Sequence, residues 1–234
     1  MKAPINVGAV IDRVFAIYVD QASVLMPAAA VVFVLSGILT SVVVAAAPGL
    51  TLLAVLISVV ATTLFTGVVV QLVADVRDGH RDASARQLLQ SVTPVLGQLI
   101  LVGIVVGLGV LIGFILIIVP GLILLTLWSV SAPVVVLERP GGLRALGRSR
   151  ELVRGNGWRV FGVVLVFFLL VIVVGMTLGL LADALGTGAG IVVTVVVGVL
   201  TAPLSALAAA VLYFELGGPR QADAAATDPD AAAR

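Results

Sequence analysis

The amino-acid sequence predicts an all-α membrane protein: a polytopic bundle of six transmembrane helices in three hairpins, each preceded by an amphipathic helix at the membrane interface. Composition is the first observation behind this class. Of the 234 residues, 61% are hydrophobic and 11% are charged, whereas soluble domains average about 45–50% apolar and about 25% charged residues. The second observation is that several uncharged stretches approach or exceed the ~20 residues that a helix needs to cross the hydrocarbon core. This excess of apolar side chains must face lipid.

The uncharged stretches place the spans along the chain. They are predicted at 24–47, 50–74, 95–119, 121–137, 160–182 and 189–214. Pro48-Gly49 and Pro120-Gly121 are predicted to form tight turns within the first two pairs of spans. Residues 1–215 therefore form one membrane domain. No large apolar residue follows Leu216, so 216–234 is predicted to be a disordered cytoplasmic tail.

The basic residues indicate how the spans are oriented. If the N-terminus lies in the cytoplasm, all 13 lysine and arginine residues fall in cytoplasmic segments and none falls in the turns on the other side. Cytoplasmic loops of membrane proteins are enriched in these two residues. The sequence therefore predicts a multi-pass protein with both termini in the cytoplasm.

A unit of amphipathic helix, outgoing span, tight turn and returning span occurs three times. The amphipathic helices are predicted at 5–20, 84–92 and 142–156. Each returning span ends with an acid at its inner end, namely Asp75, Glu138 and Glu215. Repeats of this kind are common in membrane folds. The alternative is that charges simply flank every span, which would give the same pattern.

Pairs of glycines predict where helices approach closely. Glycines four residues apart occur twice in the third span and once in the fifth, and such pairs let neighbouring backbones come together. At ~100° per residue, the two pairs of the third span lie on nearly opposite faces, which predicts a central helix packed on two sides. A homodimer contact is the alternative. The glycines are Gly103, Gly107, Gly109, Gly113, Gly175 and Gly179.

Two prolines interrupt spans, and little else in the spans is polar enough for chemistry. Pro133 and Pro203 each leave a helical carbonyl without its usual donor, which predicts a kink or, alternatively, a polar site. No Asp, Glu, Lys or Arg lies within a span, which argues against an ion-coupled transporter. His80 is the only histidine and no cysteine occurs, so no metal site and no cofactor are predicted. Because common catalytic motifs are absent as well, the sequence predicts a protein that is not an enzyme.

The stretch 138–159 carries six arginines and is the most basic part of the chain. Within 142–156, Leu143, Leu146 and Val153 follow helical spacing with arginines on the other faces. This predicts a helix on the inner leaflet, where each arginine near anionic headgroups contributes ~1 kcal/mol. The predicted headgroup residues, with a tryptophan as interface anchor, are Arg144, Arg148, Arg150, Arg154, Trp158 and Arg159. In the alternative interpretation, these arginines only orient the protein and pair with Glu138 and Glu151.

The segment 120–162 resembles the signature of a bacterial six-span membrane domain, best known as the membrane part of some glycerophosphoryl diester phosphodiesterases. The matching residues are Pro120-Gly121, Trp128, Pro133, Glu138-Arg139, Ala145, Arg148-Ser149, Gly155, Trp158 and Arg159, followed later by Pro203 and Tyr213-Phe214-Glu215. The resemblance implies an integral membrane protein and not an enzyme. The catalytic phosphodiesterase domain is a soluble barrel with metal-binding acids and histidines, for which this chain has no room.

These observations favour a non-catalytic inner-membrane protein that binds or organises anionic phospholipid at the cytoplasmic face. Its predicted partners are membrane lipids and, in a further alternative, another membrane protein against which it packs as a structural subunit. No nucleic-acid partner is predicted. The remaining alternative is a channel or transporter for a small, weakly polar solute, with a path beside Pro133 and Pro203.

Overall fold

A computed structural model describes residues 5–77, 92–185 and 189–217, and every regular element within them is helical. The longer helices are α1 (Val7–Asp20), α2 (Ala22–Ala46), α3 (Thr51–Arg77), α4 (Leu96–Leu116), α5 (Ile118–Leu127), α6 (Arg144–Val153), α7 (Gly157–Leu185) and α8 (Ala189–Glu215). Short 3-10 turns at Pro48–Leu50 and Thr93–Val95 precede α3 and α4. The amphipathic helix predicted at 84–92 and the tail predicted at 216–234 lie outside the described residues, apart from Val92, Leu216 and Gly217.

Six helical stretches of the described chain are long and apolar enough to cross a membrane. They are Ala22–Ala46, Thr51–Arg77, Thr93–Leu116, Ile118–Glu138, Gly157–Leu181 and Val192–Glu215. Their outer surface carries large apolar side chains that water would not tolerate in such number, for example Leu52 and Ile115, which are 72% and 74% exposed. The predicted class, an all-α polytopic membrane protein with six spans, is thereby confirmed.

The six spanning helices contact each other in a cyclic order, and a further contact, between α3 and α8, crosses the ring. Consecutive helices contact each other as the pairs α2–α3, α4–α5 and α7–α8, and the contacts α3–α4, α5–α7 and α8–α2 join one pair to the next. The returning helix of each pair thus packs against the outgoing helix of the following pair, and the third pair closes onto the first. Three repeated units would give this order. The repeat itself stays a prediction, because its second amphipathic helix lies outside the described residues.

The centre of the bundle is α8 and not the third span. In an apolar stretch of 18 residues, 50% of the residues are buried in the sixth span, which α8 forms, but only 17% in the third span. The predicted central position of α4 is therefore wrong. Side chains from α8 and α3 form much of the core, among them Phe65, Val69, Leu207 and Tyr213. Glycine spacing shows that a helix can be approached closely, but total burial depends on how many neighbours surround it.

The glycines of α4 nevertheless contact two different helices. A Cβ on Gly103 would lie 2.7 Å from the hydroxyl of Thr63 on α3, and one on Gly109 would lie 2.5 Å from the Trp128 ring that follows α5. By contrast, a Cβ on any of three other glycines would meet no described atom within 4 Å: Gly107, Gly175 and Gly179. The close helix contacts predicted at these three positions are not found, because spacing identifies a face but not what covers it.

The turn between the third and fourth spans lies upstream of its predicted place. The chain is extended at Ile117 (φ −163°), and Pro120-Gly121 belongs to the first turn of α5. Proline is tolerated there because the first N–H groups of a helix have no intrahelical acceptor. Gly121 is needed because a Cβ at this position would lie 2.7 Å from the ring of Phe114. The predicted turn at Pro120-Gly121 is therefore wrong by about one helical turn.

The fourth span is divided at its middle. Helix α5 ends at Leu127, and after a turn at 128–130 the chain continues as the helical turn Ser131–Pro133 and a π-helical turn, Val134–Glu138. Pro133 lies just after this turn and has no N–H to offer the carbonyl of Ser129, which weakens the helix at this point. Pro203, in contrast, lies inside the continuous helix α8. The predicted interruption is thus a break in the fourth span, whereas the sixth span remains one helix.

Candidate functional site: the basic end of the bundle

A partly buried cluster of three side chains joins the fourth span, α6 and α8. Glu138 ends the π-helical turn, and its carboxylate accepts a hydrogen bond from Nε of Arg148 at 2.8 Å and another from the hydroxyl of Tyr213 at 3.0 Å. A longer contact of 3.5 Å joins Nη2 of Arg148 to the same carboxylate. The end of the bundle where these residues meet, close to the carboxyl end of α8, is called the basic end below.

The surroundings of this cluster make the ion pair strong. The side chains of Arg148 and Glu138 are only 20% and 9% exposed. Burial alone would lower the pKa of Arg148, but the hydrogen bond and the charge of Glu138, followed by those of Glu151, outweigh it and raise the pKa above its ordinary value. Glu151 lies 3.5 Å from Arg148 but is 69% exposed, so its contribution to stability is small.

Helix α6 is held against the bundle by a second polar contact. The hydroxyl of Ser149 is fully buried and donates to the carbonyl of Leu127 at 2.8 Å. This carbonyl belongs to the last residue of α5, where the α-helical pattern ends. The break in the fourth span therefore creates a free acceptor, and Ser149 satisfies it.

The buried face of α6 agrees only in part with the predicted one. The buried residues are Ala145, Ser149, Leu152 and Val153, whereas Leu143 is 57% exposed. The spacing of the buried residues is the i, i+4, i+7, i+8 pattern of a helix face that packs on a core. This pattern was present in the sequence, but the small residues Ala145 and Ser149 carry a weak hydrophobic signal. Of the three predicted apolar positions, Val153 is buried, Leu146 packs partly buried against the core, and Leu143 points away from it.

The structure divides the predicted headgroup residues into two groups. Arg148 points to Glu138 and is engaged within the protein. The other members remain exposed: Arg144, Arg150, Arg154, Trp158 and Arg159. Trp158 is 87% exposed, and its ring packs edge-on against Phe161, at 5.7 Å between centroids. We call these five exposed residues the basic surface.

The start of α7 fixes part of the basic surface. Gly155 adopts φ +91°, a left-handed conformation that ends α6 sharply. The carbonyl of the buried Asn156 then accepts the N–H groups of Arg159 and Val160. The side-chain oxygen of Asn156 also accepts a hydrogen bond from Nη1 of Arg159 at 3.2 Å. Arg159 is thus held at the first turn of α7, beside Trp158.

Glu215, the acid predicted at the end of the sixth span, also forms an ion pair. Its Oε1 lies 3.1 Å from Nη1 of Arg13 on α1. The two ion pairs follow the cyclic order of the helices, since Arg148 precedes the third pair and binds the acid that ends the second, while Arg13 precedes the first pair and binds the acid that ends the third. The remaining members of this pattern, Asp75 and Arg86, cannot be compared, because Arg86 lies outside the described residues.

A cavity of about 280 Å³ lies between α5, α7 and α8, near both prolines. Ser129 and Ser205 line it, but Phe167, Phe168 and other apolar side chains form most of its wall. A path for a polar solute needs a continuous polar lining, and this wall does not supply one. Within the described residues, no group of three or more potential metal-ligating side chains occurs.

The chain is similar to a UPF0259 membrane protein of Pectobacterium carotovorum. The two are 34% identical over 99 residues, and the match spans 42% of this chain and 39% of the relative. No family model matches the chain, and no solved structure matches it significantly. The name of the relative states a membrane protein, without an enzymatic activity and without a link to glycerophosphoryl diester phosphodiesterases. Together with the six apolar helices, this similarity shows that the chain is a multi-pass integral membrane protein related to a bacterial membrane protein.

Proposed function

We propose that the protein is a non-catalytic component of the bacterial inner membrane, with both termini in the cytoplasm, which binds anionic phospholipid through the basic surface. The observation that carries this proposal is the exposure of the cations around α6. Arg148 is engaged by Glu138, but the side chains of Arg144, Arg150 and Arg154 are exposed, as is Trp158 at the start of α7.

The anchoring of α6 supports this role. Ser149 and Arg148 fasten one face of the helix to the bundle, so the exposed arginines are presented at a fixed depth near the membrane surface. Arginines in this position attract anionic headgroups with about 1 kcal/mol each. A tryptophan at the same level is typical of the interface between headgroups and acyl chains. The basic surface therefore combines charge and an interfacial anchor.

The resemblance of segment 120–162 to the membrane part of glycerophosphoryl diester phosphodiesterases also supports a role near phospholipids. Those enzymes act on glycerophosphodiesters, which contain the same glycerol phosphate unit as phospholipids. On this proposal, the membrane domain contributes lipid binding or organisation and no catalysis.

The test compares two double variants of equal charge. The protein is purified in a mild detergent, placed in nanodiscs containing phosphatidylglycerol and phosphatidylcholine, and the retained lipid is identified by native mass spectrometry. Arg150→Gln with Arg154→Gln removes two cations from the basic surface, and Arg220→Gln with Arg234→Gln removes two from the C-terminal segment. We expect the first variant to lose its preference for phosphatidylglycerol and the second to keep it. Equal retention in both variants and the wild type would overturn the proposal.

A further inference from the structure

A second feature of the basic end lies on the other side of α8 from the ion pair of Arg148. A cavity of about 270 Å³ opens between α1, α3 and α8. Its charged lining consists of Arg13, Arg77 and Glu215, so two cations face one anion. None of these residues belongs to the basic surface, and the inference drawn from them therefore goes beyond the proposed function.

Glu215 does not neutralise both arginines of the cavity. Glu215 binds Arg13 through a single contact of 3.1 Å, and the side chains are 38% and 55% exposed. An ion pair with this exposure is worth little and can rearrange. Arg13 can therefore turn part of its guanidinium toward another acceptor without breaking the fold.

Among the described residues, the guanidinium of Arg77 contacts an aromatic ring and no acid. Its guanidinium carbon lies 4.6 Å from the centre of the Phe214 ring, and within the described part of the chain its side chain forms no salt bridge. A guanidinium over a ring face keeps its N–H donors available in its own plane. Phe214 thus positions a cation whose donors have no anionic partner among the described residues.

The remaining wall of the cavity is apolar. Ile17, Val73 and Val211 contribute to it, on α1, α3 and α8 respectively. Ligand pockets for small molecules usually measure ~300–1,000 Å³, so this cavity holds a small anionic group and not an entire lipid. Two guanidinium groups above an apolar wall match a phosphate attached to a glycerol or an acyl glycerol, because arginine binds phosphate oxygens through paired donors.

We propose that this cavity is a phosphate-binding site, with Arg77 and Arg13 as its donors and Phe214 as the platform that orients Arg77. The phosphate belongs to a glycerophospholipid of the adjoining leaflet or to a free phosphate ester in the aqueous phase. Glu215 competes with the ligand for Arg13.

The experiment uses the full-length protein and separates these two sources. In nanodiscs of phosphatidylcholine alone, binding of glycerol phosphate and of inorganic phosphate is measured by isothermal titration calorimetry. In a second arm, retention of phosphatidylglycerol is measured by native mass spectrometry. The variants are Arg77→Gln, Arg13→Gln and Glu215→Gln, and Arg220→Gln is the charge-matched control. The melting temperature of each variant is recorded to identify those that fail to fold.

In whichever arm detects binding by the wild type, we expect Arg77→Gln to weaken that binding by about tenfold, since a hydrogen bond to a charged group is lost. Glu215→Gln should strengthen binding, a change that a merely structural role of the ion pair would not produce. Because the basic surface is intact in these variants, failure here is distinct from failure of the proposed function. No binding in either arm, or equal binding by Arg77→Gln, Glu215→Gln and the wild type, would overturn the inference.

Discussion

Arg148 differs from the other arginines of its segment in what it contacts. It lies on the side of α6 that faces the bundle, ten residues after the carboxylate that it binds. In the sequence it is one of six similar cations in 138–159. The pairing interpretation therefore holds for Arg148, which contacts Glu138 and Glu151. The basic surface remains exposed, and its binding of headgroups is the function proposed above.

We expect the cluster around Glu138 to stabilise the folded protein. Replacing Arg148 by Gln leaves a carboxylate that is 9% exposed without its cation, and an unpaired buried charge costs about 3–5 kcal/mol. Because Arg148 is itself partly exposed, we expect a loss of about 3 kcal/mol in the free energy of unfolding, measured by titration with a denaturing detergent.

Two controls accompany this measurement. Glu151→Gln removes an exposed acid 3.5 Å from the same arginine and should cost at most about 1 kcal/mol. The double variant Glu138→Gln with Arg148→Gln should be less destabilised than the sum of the single variants, since neither charge is left alone. Additive losses would show that the two side chains do not stabilise the fold as a pair.

At the scale of elements, the junction of α4 and α5 depends on two glycines in contact. A Cβ on Gly113 would lie 2.8 Å from Cα of Gly121, and a Cβ on Gly121 would overlap the ring of Phe114. These contacts allow the two helices to turn back within the single extended residue Ile117. The turn is therefore specified by close backbone packing and not by the Pro-Gly sequence alone.

A matched pair of alanine substitutions tests this junction. Gly121→Ala places a methyl group against a rigid ring, and overpacking of this kind costs about 1–3 kcal/mol. Gly107→Ala lies in the same pair of helices, where a Cβ meets no described atom within 4 Å, and alanine favours the helix by up to about 1 kcal/mol. We expect a lower melting temperature for the first variant and an unchanged or higher one for the second. Identical behaviour would contradict the close contact at Gly121.

The elements also show how far the sequence predicts this fold. Length and hydropathy predict the spans because a bilayer selects for both, so the six spanning helices could be found without a structure. The turn at Ile117 could not, because proline is tolerated in a first helical turn. Part of the buried face of α6 was also missed, because Ala145 and Ser149 are too small to mark a core face. The cavity beside Arg77 brings together α1, α3 and α8, which are distant in sequence.

At the scale of the whole molecule, the contacts place the cations at one end of the bundle. Arg13 binds Glu215, Arg77 lies over Phe214, and Arg148 reaches a carboxylate that also binds Tyr213. All these contacts are near the carboxyl end of α8. Since basic segments of membrane proteins stay in the cytoplasm, this end is expected to face inwards, and the proposed function depends on that orientation.

The orientation can be measured directly because the chain has no cysteine. Gly49 lies at the end opposite the arginines, and Gly147 lies on α6. At both positions an added Cβ would meet no described atom within 4 Å. Single variants Gly49→Cys and Gly147→Cys in intact cells with a permeabilised outer membrane are treated with a maleimide that cannot cross the inner membrane. If the basic end faces the cytoplasm, Gly49→Cys is labelled at once and Gly147→Cys is labelled only after the cells are lysed. Labelling of Gly147→Cys in intact cells, with Gly49→Cys protected, would contradict it.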